Sequence, residues 1–282
     1  MRNRWRKALS GTIVVLCIGA VLVALLPLAL VLFYVVTQGI TSLNLAFFTH
    51  GPVPVGETGG GMANAIVGSL MVTGMGAIVA IPIGVIAGTY AAEYRGTRIA
   101  VATRFAADTL NGVPSIVIGV FAFAIAVLPF HQFSAMAGSV ALGIMMLPLV
   151  TRTTEELLLL VPQSLREGAL ALGATRARAV FTVVVPAALP GIITGVLLAL
   201  ARVAGETAPL LFTALNNQYF TADPRQPIST LTVQVFTYAS SAYTDLHRQA
   251  WAGALVLVII VFTCSLLARF ATARLERMQR GS

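Results

Sequence analysis

Charge is what this 282-residue chain has least of. Asp, Glu, Lys and Arg together make up 10% of it, against about a quarter in an ordinary soluble domain. Lysine occurs once, at Lys7, directly after Arg6. A Walker A loop needs a lysine that follows glycine, so this chain has no such loop for ATP. "GMGAIV", Gly74 to Val79, begins like a dinucleotide turn, but it lacks the third glycine and lies in an apolar run. Cysteine is nearly absent. Cys17 and Cys264 both fall within apolar runs, so neither a disulfide framework nor a thiolate metal set can be read from them. His50, His131 and His247 fall in expected loops far apart, and no metal site is expected from them. Energy for any work must come from a partner or from an ion gradient.

What is abundant is apolar: 57% of the residues, with a mean hydropathy of +0.89. That composition belongs to a polytopic membrane protein. A membrane helix needs about 20 mostly apolar residues, and six such segments can be drawn. They run from about Leu9 to Val36, Met62 to Ala91, Ala187 to Leu215 and Ala250 to Ala268, with two more sharing a charge-free stretch from Thr109 to Val150. A break near Phe130 to Ser134 divides that stretch. The basic start "MRNRWRK" could open a signal peptide, but the apolar run behind it is too long for one and is expected to stay as a span.

The net charge of +8 would suit nucleic acid if it formed a surface, but it is dispersed between spans. With the N-terminus in the cytoplasm, Arg2, Arg4, Arg6, Lys7, Arg95, Arg98, Arg104, Arg152, Arg166, Arg176 and Arg178 fall inside. So do Arg269, Arg274, Arg277 and Arg280, and only Arg225 and Arg248 fall outside. That asymmetry is the signature of membrane orientation. The expected fold is an all-α bundle of six transmembrane helices, N-in and C-in, surrounded by lipid and binding no nucleic acid.

Gly84 with Gly88, and Gly191 with Gly195, are spaced for close helix packing in lipid. Pro82, Pro114, Pro148 and Pro209 lie in or near spans and loosen the helix locally. Two polar loops lie outside, Thr41 to Gly61 and Asn216 to Gln249. Tyr219, Phe220, Phe236, Tyr238 and Tyr243 in the second fit either an interfacial belt or a partner-docking surface. The chain divides into an N-terminal span with its loop, 1–61, and a core, 62–282, that holds a cytoplasmic loop at 161–190.

That loop is "VPQSLREGALALGATRARAVFTVVVPAALPG", Val161 to Gly191. Ser164 and Glu167 have the spacing of a capping box, with Pro162 just before them. Gly173 is placed to end the helix, and Thr175 to cap the next. Two short helices on the cytoplasmic face are expected. A mere linker needs no capped helix with the small residues Gly168, Ala169 and Gly173, whereas a groove on another protein can receive one.

The other conspicuous stretch is "LARVAGETAPLL", where Arg202 and Glu206 stand in the fifth span. A charge at mid-membrane costs a few kcal/mol even on insertion scales. At i and i+4 the two are expected to share one helix face. One reading is a buried salt bridge, which often adds little net stability. The other is an anion path in which the arginine fork meets an oxyanion and Glu206 keeps it from binding too tightly, with the Thr207 hydroxyl nearby. Pro209 cannot donate to the carbonyl of Gly205, which leaves that group free in the same turn. Asp108 is expected at the interface or as a cap of the third span. The same Gly-Glu-Thr at Gly56 to Thr58, in a glycine-rich loop, carries no such meaning.

The cytoplasmic loop resembles that of the permease subunits of bacterial ABC importers, which reads Glu-Ala-Ala, three residues, Gly, nine residues, Ile-x-Leu-Pro. Here Glu167, Gly168 and Ala169 precede Gly173, and Val183, Val184, Val185 and Pro186 complete the spacing. Gly168 for Ala, and Val for Ile and Leu, are mild departures. "RVAGETAPLLFTA", "FFTHGPVPVGETGGGMANAIVGSL" and "NGVPSIVIGVF" resemble the phosphate-importer branch of that family. The resemblance implies a type I importer bundle acting as a half-permease in the bacterial inner membrane. It implies pairing with a homologous second permease, a dimer of ATP-binding subunits and an external phosphate-binding protein. It assigns Glu167, Gly168, Ala169, Gly173 and Pro186 to coupling with the ATPase. It sets Arg202, Glu206 and Thr207 on the path of phosphate, with no cofactor or metal of the chain's own. A permease for sulfate or molybdate keeps the mechanism and changes the substrate. A secondary anion transporter leaves the docking motif without a purpose.

Overall fold

The computed structural model describes residues 2–57 and 59–280, with the side chains of 2–5, 7, 8, 268 and 271–280 outside that description. Several basic residues used for orientation therefore lie there as side chains, as does Thr58 of the external tripeptide. Among the described residues there are helices and no strands. The helices are α1 (Arg2–Ile40), α2 (Leu45–Thr49), α3 (Ala63–Glu93), α4 (Arg98–Gly112), α5 (Ser115–Ala126) and α6 (Ala135–Leu159). They continue with α7 (Gln163–Ala171), α8 (Arg176–Ala179), α9 (Val185–Ala204), α10 (Ala208–Thr213), α11 (Leu231–Ala239) and α12 (Thr244–Arg280).

The centre of the bundle is the pair α3 and α6, which run side by side in the same direction. Small residues set their spacing. A Cβ on Gly76 would lie 2.8 Å from the Ser139 carbonyl oxygen, and one on Gly84 would lie 2.9 Å from Val150. Gly88 meets Thr151 in the same register. Backbones approach this closely in lipid because packing, with no hydrophobic drive between helices, must hold them. Around this seam Val72, Leu142, Met146, Val150, Val203 and Leu210 form the main core. Helix α9 packs against the same α6, with Gly191 on Leu157 and Gly195 on Thr153. Both expected Gly-x-x-x-Gly pairs are thus close-packing sites.

Among the described residues, five helices are long and apolar enough to span by themselves, Leu9–Ile40, Ala63–Glu93, Ala135–Leu159, Arg176–Ala204 and Thr244–Leu267. The sixth candidate is a broken pair, and this corrects the straight third span expected from Thr109. Helix α4 ends at Gly112, and α5 departs from it at 110°. Pro114 is the cause: Val113 before it is forced to extended backbone, φ −73° and ψ 130°. With 12 residues, α5 reaches only about 18 Å.

The fifth span is also shifted. It starts at Arg176 and runs through α8, a π turn at Val180–Val184 and α9, and it stops at Ala204 short of the expected Leu215. Helix α1 stands at the edge. It touches α12 through Tyr34, edge-on to Trp251 at 5.1 Å, and through Gly39, which sits on Leu255.

Candidate functional site: a broken mid-membrane span and an exposed cytoplasmic helix

The stretch around Arg202 is where a long helix gives way. Glycine and a following proline make continuation unfavourable, since Pro209 has no N–H for the Gly205 carbonyl. The last turn of α9 tightens instead, with Gly205 N–H on the Arg202 carbonyl at 3.2 Å and Glu206 N–H on that of Val203 at 3.1 Å. Helix α10 then restarts from the Thr207 carbonyl, which accepts from Leu210 and Leu211. Pro209 falls in its first turn, where no N–H is needed. The Thr232 hydroxyl donates to the Glu206 carbonyl at 2.9 Å and ties the break to α11.

Arg202 and Glu206 therefore do not share a face of one helix. No ion pair joins them among the described residues. Of the two readings of this stretch, the buried salt bridge is not formed: Arg202 is exposed on this chain, and Glu206 is half-buried beyond the break. Depth follows from packing. Helix α9 runs antiparallel to α6, and two turns beyond the Gly195–Thr153 contact Arg202 is level with Met146, near the middle of α6. An exposed guanidinium at that depth, with no ion-pair partner among the described residues, is costly in lipid, so a polar path or another chain is the favourable surrounding for it.

A second charged group, not found from the sequence, is closed. Glu155 in α6 has a side chain 2% exposed, and it accepts from Arg104 of α4 and from Arg152 at 2.7 Å. Arg152 reaches Asp108 at 2.9 Å, and Arg104 donates to the Ala91 carbonyl at 2.6 Å. Asp108 is thus an ion-pair partner inside α4 and caps nothing. These groups join α4, α6 and the end of α3. The only local signal was Arg152 and Glu155 at i, i+3, since Arg104 comes from 51 residues away.

At the cytoplasmic end, Glu167, Gly168 and Ala169 lie on α7, which Gly173 ends at φ +84°. Ala174 N–H returns to Ala169 and Gly173 N–H to Leu170, the double bond pattern of a Schellman cap. Thr175 caps α8 by accepting from Arg178 N–H at 3.3 Å. The capping box is corrected. Helix α7 begins at Gln163 behind Pro162 with no side-chain cap, and Ser164 is already inside the helix. Leu165, Leu170 and Leu172 are 44%, 47% and 90% exposed, so α7 offers apolar surface to whatever covers it. One anchor holds it. Arg166 pairs with Glu93 of α3 at 3.0 Å and donates to the carbonyls of Val161 and Leu158, both at 2.7 Å.

Pro186 stands apart from α7, in the first turn of α9. It cannot donate to Thr182, and the preceding turn widens so that Val185 N–H reaches Val180. The structure thus groups Arg202, Glu206 and Thr207 at the break, and Glu167, Gly168, Ala169 and Gly173 on α7. From Val185 to Arg202 along α9 is roughly 26 Å.

Residues 80–281 match the family model described as "Binding-protein-dependent transport system inner membrane component". The chain is 43% identical over 270 residues to the phosphate transport system permease protein PstA of Haemophilus influenzae, covering 95% of each chain. It is 42% identical to the PstA of Yersinia pestis, over 97% of this chain and 93% of that one. It is 34% identical to the probable PstA of Methanocaldococcus jannaschii, over 96% of each. Among solved structures, a chain of the inward-facing MetNI methionine ABC transporter superposes with a TM-score of 0.58 at 19% identity, covering 75% of this chain and 93% of that one. At that identity the likeness speaks for the fold alone, that of a type I ABC importer permease. With its apolar spans, the chain is a multi-pass protein of the cytoplasmic membrane. It belongs to the binding-protein-dependent transport system inner membrane components and, within them, to the PstA phosphate transport system permeases.

Proposed function

We propose that this chain is the membrane half-permease of an ATP-driven importer of inorganic phosphate, with Arg202 on the path of the anion. The observation that carries the reading is an arginine without an ion-pair partner among the described residues, level with the middle of α6, in the last turn of α9 beside the break. Phosphate oxygens suit the planar guanidinium fork. Glu206 beyond the break lowers the net charge without occupying the fork, so the anion is attracted and still released. Thr207 adds a hydroxyl at the same turn.

The partners are a homologous second permease, which completes the path that Arg202 faces, a dimer of ATP-binding subunits, and an external phosphate-binding protein. Helix α7, through Glu167 to Gly173, docks on the ATPase. When ATP closes that dimer, α7 moves. The Arg166–Glu93 pair passes the movement to α3, and the glycine seam passes it to α6. The core at 62–282 thus rocks as a unit, and access alternates between the two sides. Helix α1 with its loop, 1–61, lies outside that rocking unit.

The test is purification in mild detergent followed by reconstitution with the phosphate-binding protein. A co-purifying ATPase and second permease, with ATP-dependent uptake of phosphate, is the expected result. Uptake of sulfate or molybdate in preference to phosphate would change the substrate. Gradient-driven uptake without an ATPase would overturn the class.

A further inference from the structure

At the cytoplasmic end of α3 two adjoining hollows share the walls Glu93 and Val180. The first, about 490 Å³, lies between the turn after α3 and helices α7 and α8, and its charged walls are Glu93, Arg95, Arg166 and Arg176. The second, about 250 Å³, is apolar and is walled by Val85, Ile86, Tyr90, Tyr94 and Phe181.

The charges in the first hollow are unevenly committed. Arg166 neutralises Glu93 and also donates to two carbonyls. Arg176 lies over the Tyr94 ring at 4.5 Å and gives one N–H to the Glu93 carbonyl. Arg95 gives its Nε to the Ala92 carbonyl at 3.1 Å. Neither Arg95 nor Arg176 has a carboxylate partner among the described residues, and both are exposed. Two guanidinium charges thus stand uncompensated at the mouth.

The second hollow says what meets them. Ile86 and Phe181 are 67% and 68% exposed. Ile86 lies two turns up α3 from Glu93, roughly 10 Å deeper in the span. Tyr90 and Tyr94, stacked at 4.9 Å, wall the second hollow where Arg176 lies over Tyr94, as aromatic rings do at a membrane interface. A soluble anion would use the arginines and leave the groove empty. An acidic side chain of a partner would do the same.

We propose that the two hollows bind one anionic phospholipid of the cytoplasmic leaflet, its phosphate on Arg95 and Arg176 and an acyl chain along Ile86 and Phe181. Basic pockets between helices on this side of a membrane hold such headgroups. The lipid borders the Arg166–Glu93 anchor and buttresses α7.

The test is native mass spectrometry of the full chain purified with its partner subunits, titrated with dioleoyl-phosphatidylglycerol and, separately, dioleoyl-phosphatidylcholine. Arg95→Gln with Arg176→Gln lowers phosphatidylglycerol affinity about thirtyfold, each cation near the surface contributing on the order of fivefold. Phosphatidylcholine is unaffected, and the double Lys variant keeps most of the preference. Ile86→Trp fills the groove and lowers phosphatidylglycerol affinity with both arginines intact, which serves as the readout should the double Gln variant not fold. Unchanged lipid affinity in the Gln variant overturns the proposal. So does displacement of the lipid by inorganic phosphate with Ile86→Trp harmless, which would mark a free-anion site. Loss of the ATPase from the Gln variant with lipid affinity intact also overturns it, since the cavity would then be a protein contact.

Discussion

Arg202 and Arg152 are both arginines inside apolar helices, each followed closely by a glutamate, and the chain treats them in opposite ways. Arg152 keeps its helix intact and is bound on several sides: Glu155 at 2.7 Å, Asp108 at 2.9 Å, Glu156 at 3.8 Å. Around Arg202 the helix ends and the glutamate falls on the other side of the break. Among the described residues the Arg202 side chain has no carboxylate partner. The lesson concerns availability. A guanidinium whose partners are supplied internally fixes helices, whereas one left without them at mid-depth has the open fork that the proposed role on the anion path requires.

The comparison breaks first at Glu155. Glu155→Ala leaves Arg104 and Arg152 without their common buried partner, and removing one side of a buried pair is worth on the order of 3 kcal/mol or more. Thermal unfolding in detergent falls sharply, with loss of the assembled complex, and a variant as stable as wild type would remove the locking role. Arg202→Gln is expected to do the reverse. Among the described residues no ion pair depends on that side chain, so stability and assembly are expected to hold. Phosphate uptake in proteoliposomes falls about a hundredfold, the worth of a lost charged hydrogen bond to the anion. Wild-type uptake would take Arg202 out of the path.

Most of the bundle was legible because its signals are local. Apolar length marks spans, arginine asymmetry orients them, and the glycine spacings identify seams that the structure closes at Gly84 and Gly195. Gly173 was legible for the same reason, being one residue with one conformational duty. What escaped depended on distant neighbours or on competing local rules. Pro209 was a visible cue at the fifth span, but an i, i+4 pairing of Arg202 with Glu206 requires a helix that Gly205 and Pro209 together end. Thr232, from beyond a long loop, then holds the break in place. Glu155 escaped because its burial is decided by Arg104 on another helix. Likewise Arg166 read as an orientation marker, and only the fold brings Glu93 beneath it.

A smaller effect probes the exposed cytoplasmic helix, which is proposed, like Arg202, to act on other molecules. Gly173→Val puts a β-branched side chain at φ +84°, where only glycine is unstrained. A penalty of about 1–2 kcal/mol is expected, confined to the end of α7. ATPase co-purification then weakens while the melting of the bundle changes little. Intact ATPase association with full transport would remove α7 as the docking element.

The smallest effect separates a motif from the structure that replaces it. If Ser164 capped α7 as its spacing with Glu167 suggests, Ser164→Ala would cost about 1 kcal/mol of helix stability. In the fold Ser164 is exposed, inside the first turn behind Pro162, and no side-chain cap bond is made there. The hydroxyl therefore has nothing to lose, and alanine is the better helix former. Hydrogen exchange of the α7 amides in the assembled complex is expected to be unchanged or slightly slower in Ser164→Ala. Faster exchange at the first turn would restore the capping box. The anchor of α7 would then be shared with Ser164, where the structure gives it to Arg166, through Glu93 and the carbonyls of Val161 and Leu158.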